Sequence, residues 1–282
     1  MISNNTSTSV DAHHIRADSA HFFGSSGQSR FVLLPGSDGR AKQIADRLVD
    51  VTTITNERQL NCYFGTLDRA GSKIDLAVVS TGMGCASMDI VIGELLSLGM
   101  TRFLRLGTAG SMQPGFVKYG DLAIASSSVR DEATTARYAP IEFPALADPG
   151  LVAALEHAAT NAGVSFHTGT VHCKDNLHAR EFGVGPMQAE NARYMEIIRD
   201  CGAIASEMET AALFIRCQIA QQQHRLAGTW HDRPRAGALL AIIGDAEPFA
   251  HRDNTPVTNR LIETGLDAVA HFCKIESQPK IE

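Results

Sequence analysis

The sequence is short of positive charge. Lysine and arginine together number 25 against 31 aspartates and glutamates, for a formal net charge of −6. Bulk electrostatics therefore gives no attraction to a nucleic-acid backbone or an anionic membrane surface, and any anion site must be a local cluster of arginines. Long apolar runs are also missing, so no bilayer-spanning helix is expected and no membrane partner is implied. The opening residues, MISNNTSTSVDAHH, lack the apolar centre of a secretory signal. Six scattered cysteines (Cys62, Cys85, Cys173, Cys201, Cys217, Cys273) include no C-x-x-C pair. In a chain far above disulfide-scaffold size, that predicts reduced thiols and a cytoplasmic protein. Neither G-x-x-x-x-G-K-[ST] nor G-x-G-x-x-G occurs, which disfavours a triphosphate or dinucleotide cofactor.

What is present is a chain of 282 residues, 44% hydrophobic and 20% charged, enough to bury a full core. Short apolar runs at 31–34, 76–79, around Leu104, and at 121–126, 166–172 and 238–243 read as strands. Helical spacing appears over 40–49, 89–98, 149–163, 194–201, 208–221 and 257–273. Alternating strands and helices predict an α/β fold with a largely parallel or mixed sheet. Residues 1–12 are expected to be a flexible tail, 177–193 a mobile loop and 221–235 a polar surface excursion. The remainder, 13–282, is expected to form a single domain.

The stretch 101–111, TRFLRLGTAGS, carries the strongest chemical signal. An arginine inside a short apolar run must be paired or hydrogen-bonded, or its burial costs several kcal/mol. Arg105 can be satisfied by an anionic ligand at the strand end, with Thr108 adding a donor and the glycines allowing close approach. An internal Arg–carboxylate pair is the alternative. Two other strands also end in glycine turns, at Pro35-Gly36-Ser37-Asp38-Gly39-Arg40 and Ser80-Thr81-Gly82-Met83-Gly84. Ligands of α/β sheets bind beyond carboxyl strand ends, so the repetition points to one shared site. Further on, Ser206-Glu207-Met208-Glu209 leads into an apolar helix. A carboxylate there can accept from a vicinal diol, although Ser206 and Glu209 also fit a helix capping box.

Taken in order, LPGSDGR, STGMG, FLRLGTAGSMQP, YAPIEFPALAD and SEMETAAL resemble the nucleoside phosphorylase family, the uridine phosphorylases most closely. The resemblance implies a three-layer α/β/α sandwich with a mixed central sheet. It implies phosphorolysis of a nucleoside, uridine and phosphate giving uracil and ribose 1-phosphate. Inorganic phosphate is then a co-substrate, with no cofactor and no metal. Gly36, Arg40, Arg105 and Thr108 would hold phosphate, joined by Arg58 from a neighbouring subunit. His14, likewise from the neighbour, and Glu207, Met208 and Glu209 would hold ribose. A homo-oligomer built from dimers with shared sites, a dimer or a hexamer, is implied.

The chain also departs from the family. Its phosphate loop keeps Gly36 and Arg40 but changes the residues between. The family's Gln-x-Arg uracil reader is absent from 175–183, DNLHAREFG, where Arg180 and Glu181 are candidates, with Gln188 and Arg193 further on. Asp245 follows a strand where purine-cleaving relatives place the acid that protonates the base. Three alternatives stay open: a purine nucleoside phosphorylase using Asp245, a nucleosidase using water, and a catalytically silent nucleoside-binding protein.

Overall fold

The computed structural model describes residues 12–24, 27–69, 71–245 and 252–277. Most of the expected N-terminal tail, 1–11, lies outside the described residues. The residues just after that tail are packed against the body of the fold. The Nδ1 atom of His14 lies 2.6 Å from the Glu94 carboxylate, and Ile15 is fully buried.

In chain order the elements are α1 (Ser19–Phe22), β1 (Phe31–Pro35), α2 (Asp38–Ala45), β2 (Val49–Ile54), β3 (Cys62–Arg69), β4 (Ser72–Val79), α3 (Cys85–Ser97), β5 (Arg102–Ser111) and β6 (Leu122–Asp131). There follow β7 (Ala145–Leu146), α4 (Pro149–Asn161), β8 (Phe166–Lys174), α5 (Leu177–Phe182), α6 (Gln188–Asp200), β9 (Ala205–Glu207), α7 (Thr210–Leu226), β10 (Arg235–Gly244) and α8 (Thr255–Glu276). Local chemistry sets many of the boundaries. Ser37 caps α2, Asp148 caps α4 with Pro149 in its first turn, and Asn176 caps α5.

The strands form one mixed sheet with helices on both faces, the expected three layers. β1 shows how the layers separate: Val32 and Leu34 face α3 and α7, while Phe31 and Leu33 face the layer of α2, α4 and α8. Both faces are covered, so the strand reads as an unbroken apolar run. The sheet has an open arm, β1-β4-β3-β2, and a closed part. β5 pairs with β10, β10 with β6, β6 with β8, β8 with β9, and β9 returns to the end of β5. Register shifts at Ile242/Gly244 in β10 and Ala125/Ser127 in β6 accompany the bending this closure needs.

Several expectations change. The loop at 177–193 contains α5 and the start of α6. The helix expected at 40–49 ends at Ala45, and Val49 already opens β2. The hairpin of β2 and β3 was not anticipated. β2 is an exposed edge strand on both faces, so it lacks the one-sided alternation that marks a half-buried strand. Among the described residues no helix is long and apolar enough to cross a membrane.

Candidate active site

A cavity of about 260 Å³ opens at the carboxyl ends of β1, β5, β8, β9 and β10. Arg105 forms its floor. Its guanidinium is wholly buried between two carboxylates: Nε donates to Glu207 at 3.1 Å and Nη2 donates to Glu209. Burial disfavours the charge, but Glu209 and Glu207 outweigh it and the Arg105 pKa rises. The third nitrogen, Nη1, is buried and has no partner. It lies beside Gly36, where an added Cβ would stand 3.8 Å from it. Gly107 is required by the same side chain, since a Cβ there would meet Arg105 Cζ at 2.9 Å and Leu240 at 2.7 Å. Of the two sequence readings of Arg105, the internal carboxylate pair is present, and the side chain still keeps an open donor.

Arg40, in the first turn of α2, supplies a second open donor. Its Nη1 donates to the Leu106 carbonyl at 3.3 Å, while its Nε is buried without a partner. Burial and the nearby Arg105 charge push its pKa down to about 10. Gly36, Arg40, Arg105 and Thr108 thus share one pocket wall, two of them with unspent guanidinium donors. Such a wall suits a multivalent oxyanion.

The two glutamates differ in what they have left. The Oε1 atom of Glu207 accepts from the Thr210 amide and hydroxyl, and Oε2 accepts from the Glu209 amide and Arg105. Its acceptor sites are full. Burial pushes its pKa up, but Arg105 and the bonds from Thr210 and Glu209 pull it below the usual value. Glu209 accepts from the Gly84 amide at 2.6 Å on one oxygen and from Arg105 on the other. One lone pair on each oxygen remains. Burial, aided by the neighbouring Glu207, raises the Glu209 pKa against the pull of Arg105. The capping box is not formed: the first amide of α7, at Thr210, donates to Glu207, and the Ser206 hydroxyl turns instead to Lys174 and His172. Met208 lines the cavity beside them.

The other end of the cavity carries Glu181 and Lys174. Lys174 is 1% exposed, and its Nζ lies 2.5 Å from Glu181 and 2.7 Å from Ser206. Sequence reasoning missed this lysine, which follows Val171-His172-Cys173 and lies outside the apolar run read as a strand. It is a buried cation at the last position of β8, whereas Arg105 lies inside β5.

Six candidates stand off the cavity. Arg180 is held by two bonds to Asp131, at 2.7 and 2.8 Å, and its guanidinium covers the Tyr194 ring at 4.0 Å. Asp245 faces Arg252 at 3.5 Å. Arg58 is exposed on the loop between β2 and β3, and His14 is fixed to Glu94 on α3. Neither His14 nor Arg58 lines the pocket of its own chain. Gln188 opens α6, and Arg193 pairs with Glu196 on the surface at 2.6 Å.

A larger cavity, about 820 Å³, lies elsewhere and includes Arg102, Arg233 and Arg235. Its arginines face acids, Arg102 and Arg235 facing Glu276 and Arg233 facing Asp148, although Arg235 Nε is also buried without a partner. Of the two, the smaller cavity is the one that brings two unpartnered guanidinium donors together with a pair of carboxylates at strand ends, which makes it the candidate site.

Residues 30–228 match the phosphorylase superfamily. The chain belongs to that superfamily. It is 36% identical to a uridine phosphorylase of Treponema pallidum over 76% of this chain and 77% of that protein. A uridine phosphorylase of Thermococcus kodakarensis is 33% identical over 68% of each chain. A guanosine phosphorylase of Halorubrum lacusprofundi is 30% identical over 76% of this chain and 77% of the relative. The superfamily match contains the open donors of Arg40 and Arg105 and the diacid of Glu207 and Glu209. Asp245 falls beyond it.

Proposed function

We propose that the protein phosphorolyses the N-glycosidic bond of uridine, giving uracil and ribose 1-phosphate. One observation carries the reading. Two buried guanidinium donors, Arg105 Nη1 and Arg40 Nε, are unspent on one wall, beside a carboxylate with acceptor capacity to spare. Phosphate binds to Arg40, Arg105, the Gly36 backbone and Thr108, aligned for attack on C1′. Glu209 accepts from the ribose 2′- and 3′-hydroxyls through its two free lone pairs. As the C1′–N bond breaks, the sugar becomes cation-like, and the phosphate dianion and the Glu209 carboxylate stabilise it without rearrangement. Glu207 positions Arg105. Water alone as nucleophile would leave the two donors with nothing to hold.

His14 and Arg58 come from a second subunit, which fits their placement away from their own pocket, so the working unit is at least a dimer. Free thiols at all six cysteines fit a cytoplasmic setting. A 6-oxopurine substrate is the second reading, favoured by the guanosine phosphorylase relative. Chromatography of uridine, inosine and guanosine, incubated with and without phosphate, tests both. Uridine is expected to give uracil only with phosphate. Phosphate-independent release, or binding without product, overturns the function.

A further inference from the structure

The end of the cavity away from Arg105 holds a polar chain of which the quoted motifs contain only Ser206. Lys174 Nζ donates to Ser206 Oγ at 2.7 Å, and the hydroxyl faces His172 Nδ1 at 3.0 Å. His172 Nε2 lies 3.0 Å from Asp131, which holds Arg180. The donors run in one consistent direction: lysine to serine, serine to histidine, histidine to aspartate. His172 is fully buried and Ser206 nearly so, which leaves Lys174 with little freedom. An ammonium has three N–H donors, and two are spent, on Ser206 and Glu181. Lys174 lines the cavity, so its remaining donor is available to what enters.

Along β5 this pair lies beyond Arg105, toward the carboxyl end of the strand. Arg105 Cζ lies against Gly107, whereas Glu181 Oε2 is 4.0 Å from the Cβ position of Gly110 on the same strand. Three residues of strand span roughly 10 Å. That suits a ribosyl group with its base laid between the two ends.

We propose that Lys174 and Glu181 read and release the base, the ammonium donating to a ring carbonyl and the carboxylate accepting from the adjacent ring N–H. The proposal rests on the phosphorolysis reading above and adds to it the class of base. An ammonium beside a carboxylate matches a lactam edge, C=O next to N–H, as in uracil or a 6-oxopurine. In the same pose cytosine and adenine present an amino group and an unprotonated ring nitrogen, so each contact sets like against like. In the reaction a phosphate oxygen bonds to C1′ and the C1′–N pair departs onto the base. For uracil that charge spreads to the carbonyl that Lys174 faces. The base finally takes up, through solvent, the proton that the phosphate gives up. Arg180 is then a positioning residue, acting through Asp131 and His172.

The test compares single-turnover rates at saturating phosphate on uridine, cytidine and 5-fluorouridine, whose base is the more acidic leaving group. Lys174→Met is expected to slow uridine cleavage by about 100-fold, as for loss of one oxyanion donor. Its effect on 5-fluorouridine should be at least about fivefold smaller, because a better leaving group needs less help. Glu181→Gln should narrow the preference for uridine over cytidine, since its amide can donate to the cytosine ring nitrogen. Lys174→Met leaves Glu181 without its buried partner, so the double variant Lys174→Met/Glu181→Gln carries the same leaving-group comparison if the single one fails to fold. Equal losses on uridine and 5-fluorouridine, or an unchanged uridine-to-cytidine ratio in Glu181→Gln, overturn this inference while the wild type still needs phosphate. A wild type inert on all nucleosides with phosphate overturns the function itself, and the inference with it.

Discussion

The two ends of the cavity are built from different kinds of structure. At the phosphate end, Arg105 lies inside a central strand and Glu209 stands where β9 passes into α7, both nearly inaccessible. Glu209 also has a structural duty, since it accepts from the amide of Gly84, the residue that precedes α3 and has no capping side chain. At the base end, Glu181 sits on α5, a six-residue helix with no buried residue. Lys174 and the residues behind it, Ser206 and His172, are the buried part of that end. Charges that every reaction of a superfamily shares can be welded into the core. A group that must suit one base can ride on a short surface helix and change without disturbing the fold.

The sharpest way to break this contrast is at Arg105. Arg105→Ala should lower kcat/KM by on the order of 100-fold or more, because it removes a preorganised charge partner. It should also cost about 3–5 kcal/mol of stability, because Glu207 and Glu209 stay buried without their cation. Arg105→Lys separates the two effects: it keeps the charge but loses the fork. Phosphorolysis near the wild-type rate in either variant would remove the phosphate end from its assigned place.

Whether the phosphate end is complete within one chain is the next question. Arg58→Ala and Glu209→Ala are each expected to be nearly inactive alone. Mixed dimers should regain activity, because one of their two sites combines both intact residues. If mixed dimers form, as judged by tagged co-purification, and show no gain, the shared site is wrong.

A smaller effect sharpens the electrostatics. Burial and Arg105 hold the Arg40 pKa at about 10, below its ordinary value. A cation whose pKa is lowered on folding costs stability wherever it is charged in both states, here at every pH below about 10. An anion in the site offsets that cost. Phosphate at 100 times its Kd should therefore stabilise the wild type by about 2.7 kcal/mol, read as a rise in melting temperature. Arg40→Ala should shrink that rise, whereas uridine alone should give less of one in either protein.

The same contrast governs what could be read before the structure. Arg105 was legible because an arginine in an apolar run is a physical contradiction that needs an answer. Glu207 was not. Nothing in SEMET says which acid caps the helix, and the competitors for Ser206, His172 and Lys174, come from a strand about thirty residues earlier. The helices in 177–193 did have signals, the Asn176 cap and a left-handed Gly183 at the end of α5. They were masked by the polar composition of that segment. Closure of β5, β10, β6, β8 and β9 depends on register shifts, which leave little local trace. The layered α/β arrangement needed only periodicity, and so it was visible.

Asp245 should have the smallest effect, and it decides between bases. Uracil leaves as an anion spread over its carbonyls and gains from a cationic donor such as Lys174. A purine leaves more readily when N7 is protonated, which needs an acid at the ring. Asp245 instead faces Arg252 and stands off the cavity, while Ile243, two residues earlier, lines it. Asp245→Asn should accordingly leave uridine cleavage within about tenfold of wild type, a barrier change of roughly 1.4 kcal/mol or less. The measurement is kcat/KM for uridine and inosine on both proteins. Inosine cleavage that is efficient in the wild type and lost in the variant, with uridine inert in both, would place the acid at Asp245 and make the enzyme a purine phosphorylase. Loss of uridine cleavage alone would instead mean that the end of β10 turns toward the base when substrate binds.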